Sequence, residues 1–243
     1  MRAITAQLRT ELTLSFRQGE QLIVSVGIPL GILVFFSQVD VLPKGKHIAH
    51  AVDFLTPAVL ALAVMSTSMV SLGIGTGFER YYGVLKRLGT TPLGRGRLVG
   101  AKIGSVLVTE VIQFALLIAV GFALGWSPAN GWAPAVLAAL LGTAAFAGLG
   151  LLMAGTLRGP ANLAACNGLY LLLLVTGGMM VPFDKLSHAL RLVSEVLPAA
   201  ALSDVMIGSL AHGQHVHGGS WLVLAFWAAV LPSLAAWRFR WEP

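Results

Sequence analysis

The sequence has too few charged residues for a soluble protein of its length. Only 11% of its 243 residues are Asp, Glu, Lys or Arg, and 56% are hydrophobic. An ordinary soluble domain is about one quarter charged, whereas lipid solvates an apolar exterior. Backbone groups inside lipid must pair within their own segment, which favours helices. The composition therefore excludes a soluble enzyme and predicts an all-α polytopic membrane protein.

Cysteine is nearly absent, which restricts metal and redox chemistry. Cys166 stands alone, so an internal disulfide and a Cys-based zinc site are excluded, and we expect a small buried apolar residue there. His212, His215 and His217 share a glycine-rich loop without an acidic or cysteine partner nearby in the sequence. This favours a solvated loop over a metal site. No metal or cofactor of its own is predicted for this chain.

The sequence also lacks the Gly-x-x-x-x-Gly-Lys-Ser/Thr motif that cradles nucleotide phosphates. No segment between its apolar runs is long enough to hold a nucleotide-binding domain. Paired carboxylates and Ser/His/Asp groupings are missing too. The chain is therefore predicted not to be an enzyme, and any energy for transport must come from another protein.

Stretches without charged residues locate the membrane spans. A spanning helix needs about 20 apolar residues, and such stretches predict six transmembrane helices. They lie near 21–38, 54–77, 104–125, 133–157, 162–181 and 219–238. The third and fourth are separated only by a turn-rich segment at 125–132, which contains the interfacial residues Trp126 and Trp132.

Lys and Arg predict the orientation in the membrane. With the N-terminus in the cytoplasm, the outside holds four of the sixteen basic residues and the inside holds the other twelve. Both termini are then cytoplasmic, and the Ala- and Gly-rich composition fits the inner membrane of a bacterium. The net charge of +6 faces the anionic inner leaflet, so no nucleic-acid partner is needed to explain it.

Two further segments are amphipathic without being spans. Residues 1–20 place Ile4, Leu8, Leu12 and Phe16 at helical spacing, which predicts an interfacial helix on the cytoplasmic side. Residues 182–211 are broken at Pro198 and are too short between breaks to cross. They predict a pair of short re-entrant helices on the outer side, before the last span.

The cytoplasmic loop at 78–103 is the most informative segment. A short helix over 79–88 is expected to end at Gly89, and a new helix begins near Pro92. The loop resembles the coupling segment of type-2 ATP-binding-cassette (ABC) exporter permeases, whose pattern is acidic-Arg-x-x-Gly-x-hydrophobic-x-x-Leu-x-Thr-x-Pro. The matching residues are Glu79, Arg80, Gly83, Leu85, Leu88, Thr90 or Thr91, and Pro92.

A second part of the chain resembles the same family, and a few positions depart from it. Gly177, Gly178 and Pro182 resemble the family's small-Gly-x-x-x-Pro signature at the outer mouth, and Leu197-Pro198 follows. The departures are Tyr81, Tyr82, Val84 and Gly177, where the family usually has other residues. The resemblance covers residues 1–243 as a single permease domain.

The resemblance implies a division of labour among several chains. This chain would form half of a channel, pairing through spans one, two and five with a second permease chain, alike or different. Separate ABC ATPase subunits would bind ATP and Mg and push the coupling segment, including Glu79, Arg80, Gly83, Leu85, Leu88 and Pro92. Compact loops and few aromatic residues in the spans favour export of a drug, antibiotic or lipid. The alternative is a secondary transporter or channel that needs no ATPase.

Polar residues inside the spans have two interpretations each. Glu110 either serves a substrate or coupling site, with Gln113 one turn away, or pairs with Arg17, Arg97 or Lys102 near the interface. Asn162 and Asn167 in the fifth span, with Ser66, Thr67, Ser68 and Ser71 in the second, either hold helices together or line a polar translocation surface.

Overall fold

The computed structural model of the protein describes residues 13, 19–39, 51–89, 95–179 and 188–239. The regular structure in these ranges is helical, as the composition predicts. The helices are α1 Gly19–Gln38, α2 Ala51–Tyr81, α3 Val84–Gly89, α4 Arg95–Ala123, α5 Trp132–Thr156, α6 Gly159–Thr176, α7 His188–Ser194, α8 Pro198–Leu210 and α9 Ser220–Arg238. The predicted interfacial helix at 1–20 lies almost wholly outside the described residues.

Five helices in the described part are long and apolar enough to cross a membrane, namely α2, α4 from Val99, α5, α6 and α9. They coincide with five of the six predicted spans. The remaining predicted span coincides with α1, whose described apolar part, Val26–Gln38, belongs with the shorter apolar helices. The predicted turn at 125–132 is confirmed, but the count of six spans stays a prediction.

The predicted loop at 78–103 is mostly helical, which corrects its boundaries. Helix α2 continues through the charged residues Glu79 and Arg80 to Tyr81, and α4 already begins at Arg95. A single helix over 79–88 is therefore wrong, because the chain breaks at Tyr82 and Gly83 and starts again as α3. Charge-free runs mark only the part of a helix that lies in lipid, and helices continue beyond it.

Helix α2 lies at the centre of the bundle. In its most apolar stretch 78% of the residues are buried, against 17% in α9. Its middle contains a π-helical turn, Ser66–Ser71, in which Ser66 and Ser68 donate hydrogen bonds to backbone carbonyls of the preceding turn. Such turns are uncommon within α-helices, and those that occur are often found at functional sites.

Small residues bring α2 close to its neighbours. The Cα of Gly150 in α5 lies 3.0 Å from where a Cβ on Gly73 would be, and the Cys166 sulfur lies 3.2 Å from it. One turn further along α2, a Cβ on Gly77 would collide with the Asn162 amide. Since lipid offers no hydrophobic drive between helices, such close backbone contact stabilises the bundle through van der Waals packing.

The predicted re-entrant segment at 182–211 forms two helices, α7 and α8, with Pro198 at the start of α8. Helix α8 packs against α2, α5 and α9, and twelve of its thirteen residues are buried, all but Gly208. It is thus enclosed on nearly every side rather than amphipathic. Re-entry into the membrane stays a prediction, and Pro182 lies outside the described residues.

Candidate functional site

The turn between α2 and α3, which we call the elbow (residues 78–87), depends on Gly83. The Gly83 N–H donates to the Arg80 carbonyl over 3.0 Å, and its φ of +73° lies in the left-handed region. Glycine adopts this conformation without the steric penalty that a Cβ brings. Gly83 therefore ends the long helix and redirects the chain into α3.

Arg80 is directed into the bundle. Its side chain is 6% exposed, and its guanidinium donates to the carbonyls of Ala154 at 3.2 Å and Leu157 at 2.9 Å. These carbonyls lie at the C-terminal end of α5, where a helix leaves its last acceptors unsatisfied and favours a cation. Arg80 thus joins α2 to α5 within the chain. Its predicted contact with an ATPase stays a prediction that its inward position does not favour.

Glu79 joins the two helices on either side of the elbow. Its carboxylate lies 2.7 Å from the ammonium of Lys102 in α4, which is almost fully buried. Lys102 is therefore not the partner of Glu110, which corrects one of the interpretations of that residue. The ion pair and Arg80 together hold the elbow against both α4 and α5.

The outward face of the elbow is aromatic and basic. Leu85 is buried and anchors α3, whereas Tyr82 is 68% exposed and Tyr81 is 49% exposed. Phe78 and Tyr82 stack with their ring centroids 6.0 Å apart. Val84, Lys86 and Arg87 are also exposed. The side chain of Leu88 and the whole of Pro92 lie outside the described residues.

A second polar group lies inside the bundle on the inner face of α4. Glu110 and Gln113 are both buried there, near the middle of the span Val99–Ala123. The Thr143 hydroxyl in α5 donates to Glu110 Oε2 over 2.7 Å, and the Thr67 hydroxyl in the π-helical turn donates to Gln113 Oε1 over 2.8 Å. These bonds hold α4 to both α5 and α2.

Glu110 lies deeper than an interfacial residue and has no cationic partner among the described side chains. Its Oε1 atom accepts no hydrogen bond in the part of the chain that the structure describes. Arg17 and Arg97, the other predicted partners, have side chains outside that part. Thr143, which sequence reasoning missed, gave no signal beyond being a hydroxyl residue in an apolar run.

The two asparagines of α6 face different surroundings. Asn162 is fully buried, and its amide donates to the Gly73 carbonyl in α2 over 2.8 Å. Asn167 lies on the exposed face of the helix. Helices α4 and α6 each pack mainly against α2 rather than each other. Glu110, Gln113 and the two asparagines are therefore not brought together into one site.

The sequence of residues 2–237 matches the family described as ABC-2 family transporter protein. The chain belongs to the ABC-2 family. Among curated proteins no match is found. The family places the chain in a membrane, and its membership implies association with ABC ATPase subunits. This match confirms the family that the coupling pattern in the sequence predicts.

In this ABC-2 permease the described residues that match the family's coupling pattern build the elbow, and the departing residues Tyr81, Tyr82 and Val84 are exposed on it. Arg80, Gly83 and Leu85 are each used to fold or anchor the turn. Tyr81 and Tyr82 point outward. The pattern thus gave no indication of which of its side chains are buried and which are exposed, and the coupling role of this segment stays a prediction.

The outer-mouth glycines end α6 in the permease. The Gly177 N–H donates to the Leu173 carbonyl over 2.7 Å, and Gly178 has a φ of +70°. The Ser194 hydroxyl from α7 donates to the Thr176 carbonyl over 2.6 Å at the same place. These glycines therefore form a turn to which α7 is hydrogen-bonded, and their role at an outer mouth stays a prediction.

The histidine loop between α8 and α9 has an acidic partner that the sequence did not reveal. Asp204, thirteen residues before His217, accepts hydrogen bonds from the His217 N–H at 2.9 Å and the Ser220 hydroxyl at 2.7 Å. Its Oδ1 also lies 2.6 Å from His217 Nδ1. The loop is thus fastened to α8. No group of three His, Cys, Asp or Glu suited to a metal occurs among the described residues.

Proposed function

We propose that the chain is the transmembrane subunit of an ATP-driven exporter in the bacterial inner membrane, with both termini in the cytoplasm. It would move a hydrophobic or amphiphilic compound, such as a drug, an antibiotic or a lipid, out of the cytoplasm or the inner leaflet. Separate ATPase subunits would bind ATP and Mg. The observation that carries the proposal is the match of nearly the whole chain to the ABC-2 family.

The elbow is the surface through which we propose that an ATPase acts. Tyr81, Tyr82 and Val84 offer contact area, and exposed aromatic side chains are enriched in protein interfaces. Glu79 and Arg80 hold the same turn against α4 and α5. A displacement of the elbow would therefore be passed on to three helices rather than absorbed by a loose loop.

The mechanism would be alternating access, in which ATP binding changes the equilibrium between two arrangements of the bundle. Helix α2 is central in this proposal, since it runs from the elbow through the π-helical turn and contacts most of the other spans. The surfaces of α4 and α6 that face away from the bundle are largely apolar, including Val111, Leu116, Leu171 and Val175. Lipid requires such surfaces of any membrane span, so the proposed class of cargo rests on the compact loops and the few aromatic residues of the spans.

The test is ATPase activity in a reconstituted complex. The chain is co-expressed with the ATPase encoded beside its gene, purified in lipid, and compared with Tyr82→Ala. We expect co-purification and a several-fold change in hydrolysis for Tyr82→Ala, since this variant removes exposed contact area without touching the core. Phe226→Ala, at an equally exposed aromatic residue in α9, is the matched control and should hydrolyse ATP like the wild type.

A different outcome would favour the other class of function. If the chain binds no ATPase, yet moves solute along an ion gradient by itself, it is a secondary transporter or channel. If an ATPase binds but Tyr82→Ala and Phe226→Ala behave alike, the exporter proposal stands and the elbow is not the contact surface.

A further inference from the structure

Glu110 is an acidic side chain that the bundle encloses without a counter-ion in the described part of the chain. It lies near the middle of the span Val99–Ala123 and is 5% exposed. No basic side chain among the described residues lies beside it. Arg97 precedes it by thirteen residues in the same helix, about 20 Å along the axis, which is too far for a direct ion pair. The charge of an ionised Glu110 would therefore have no described partner.

The helices around Glu110 bring no other titratable group to the middle of the bundle. Helix α5, which contributes Thr143, has none along its whole length. Helix α2 has none between Asp53 and Glu79, and α1 has none after Glu20, its second residue. Helix α4 itself has no other one beyond Lys102. Burial and hydrogen bonding, rather than a neighbouring charge, therefore decide whether Glu110 is ionised.

The Thr143 hydroxyl has one proton and two acceptors within reach. Its Oγ1 lies 2.7 Å from Glu110 Oε2 and 2.9 Å from the Ala139 carbonyl oxygen of its own helix. A hydroxyl has a single donor, so it cannot donate fully to both, and a backbone carbonyl has no proton to give. Both contacts are complete hydrogen bonds only if Glu110 carries a proton and donates it to Thr143, which reverses the direction of the shorter bond.

The other carboxyl oxygen of Glu110 leads to the same conclusion. An ionised carboxylate has about four acceptor sites, and Glu110 would receive at most the one proton that Thr143 shares. Its Oε1 is buried and accepts no hydrogen bond from the described residues. In a neutral carboxyl, Oε2 carries the O–H and Oε1 is an uncharged carbonyl oxygen, whose burial costs far less than that of a charged one. The surroundings of Glu110 therefore fit the neutral form.

We infer that Glu110 is a proton-binding site, which holds its proton in this arrangement of the bundle and uses it to join α4 to Thr143 in α5. When the bundle rearranges and water reaches the carboxyl, the O–H bond breaks, the proton passes to water and a carboxylate remains. Because the proton is bound here and lost on opening, low pH favours this arrangement and high pH favours the opened one. The release step rests on the proposed function, whereas the bound proton does not.

The first test is infrared spectroscopy of the purified chain in lipid near neutral pH, without an ATPase. Neutral carboxyl groups absorb apart from carboxylates, and their band shifts in heavy water. Glu110→Gln should remove one neutral band and leave the carboxylate bands unchanged. Glu195→Gln is the control, since this side chain is 57% exposed and lies 3.3 Å from Arg191. It should remove carboxylate absorption only, and the same loss in Glu110→Gln would overturn the inference.

A second variant tests the bond to Thr143 while Glu110 stays in place. Thr143→Val should keep the neutral band and move it to higher frequency, because the carboxyl O–H loses its acceptor. Thr156→Val is the matched control, since its hydroxyl is exposed and donates to Leu152 in the same helix α5. It should leave the band where it is. A band that Thr143→Val does not move would mean that Glu110 does not donate to Thr143, and would contradict the inference.

The release step is tested in the complex with the ATPase. A nucleotide that cannot be hydrolysed is added in weakly buffered solution, and a pH-sensitive dye counts the protons released. Near neutral pH the wild type should release about one proton per permease chain more than Glu110→Gln, since one site empties. The excess should shrink below about pH 5, where a carboxyl in water also keeps its proton.

Equal release by the wild type and Glu110→Gln, in complexes that bind the nucleotide equally well, would overturn proton release by Glu110. If no ATPase associates with the chain, the proposed function fails and the release step fails with it. The infrared bands do not depend on an ATPase, so they still decide whether Glu110 holds a proton. The two failures are thereby distinguished.

Discussion

The two ends of α4 are joined to their neighbours in opposite ways. At the elbow, Glu79 and Arg80 turn inward, whereas the aromatic Tyr82 and the basic Lys86 and Arg87 are exposed. At the α4–α5 turn, Trp126 is buried and the backbone is fastened to other elements, with the Ala129 N–H donating to the Leu210 carbonyl over 2.9 Å. The Ser127 N–H also lies 3.2 Å from the Asp53 carboxylate. The α4–α5 turn is thus sealed by its own chain, whereas the elbow leaves aromatic and basic side chains exposed.

This difference fits our proposal that an ATPase acts on the permease at the elbow. The sealed end keeps α2, α4, α5 and α8 together, whereas the elbow can be contacted without unfolding any helix. The following substitutions test the contrast, from the largest expected effect to the smallest.

Arg80→Ala should be the most damaging single change at the elbow. It removes a buried guanidinium from two carbonyls at the end of α5, and a charge-assisted hydrogen bond contributes about 1.5–3 kcal/mol. We expect a loss of about 3 kcal/mol, seen as a lower melting temperature of the purified protein in lipid. Arg80→Lys should recover part of the loss. A melting temperature unchanged by Arg80→Ala would contradict the inward position of this residue.

Gly131→Ala tests the sealed end. Gly131 has an ordinary φ of −85°, but a Cβ there would collide with the backbone carbonyl of Ser209 at the end of α8. Overpacking of this kind costs about 1–3 kcal/mol, so we expect reduced thermal stability and easier proteolysis near 211–219. Gly218→Ala, where a Cβ would meet nothing within 4 Å, is the control. Equal stability of the two variants would argue against close packing of Gly131 on the end of α8.

Asp204→Ala tests the fastening of the histidine loop. It removes the acceptor for the His217 N–H and the Ser220 hydroxyl, each worth about 1 kcal/mol. The partners are partly exposed and can turn to water, so we expect a total loss of about 1 kcal/mol. Faster amide hydrogen exchange confined to 211–220 would show it. An equal rise in amide exchange at the elbow would mean that the two ends do not open independently.

Gly83→Ala should have a modest effect on stability and a clear one on coupling. Its Cβ would meet nothing within 4 Å, so the cost is the left-handed backbone alone, about 1–2 kcal/mol. We expect a modest shift in melting temperature and a several-fold change in ATP hydrolysis by the complex. Gly75→Ala, in open space within α2 and with an ordinary φ, is the control. If both variants leave hydrolysis unchanged, the direction of α3 does not affect coupling.

The positions of the spans were predictable, because absence of charge along the sequence is a direct consequence of lipid as the solvent. The helix ends were not. The sequence predicts Glu79 and Arg80 at the start of a separate short helix in the cytoplasmic loop, yet they lie in the last turn of α2, since an ion pair and a helix terminus accommodate their charges there. The length of an apolar run reflects the thickness of the hydrocarbon layer rather than the full length of the helix.

The contacts of the candidate coupling segment could not be predicted from the sequence, and its coupling role stays a prediction. The coupling pattern identified residues 79–88, whereas the inward turn of Arg80 depends on Ala154, far away in the sequence. The partner of Glu110 is Thr143 in the next span, and the partner of His217 is Asp204 in the preceding helix. Each of these pairs is set by how helices pack, which a pattern of neighbouring residues does not contain.

The length of α2 has a mechanical consequence. At 31 residues it measures about 45 Å, whereas the hydrocarbon layer is about 30 Å thick. An upright α2 is therefore about 15 Å longer than the hydrocarbon layer is thick, and the elbow lies at one end of this helix. A rigid rod of this length also amplifies rotation, since a tilt of about 10° moves its tip by about 8 Å.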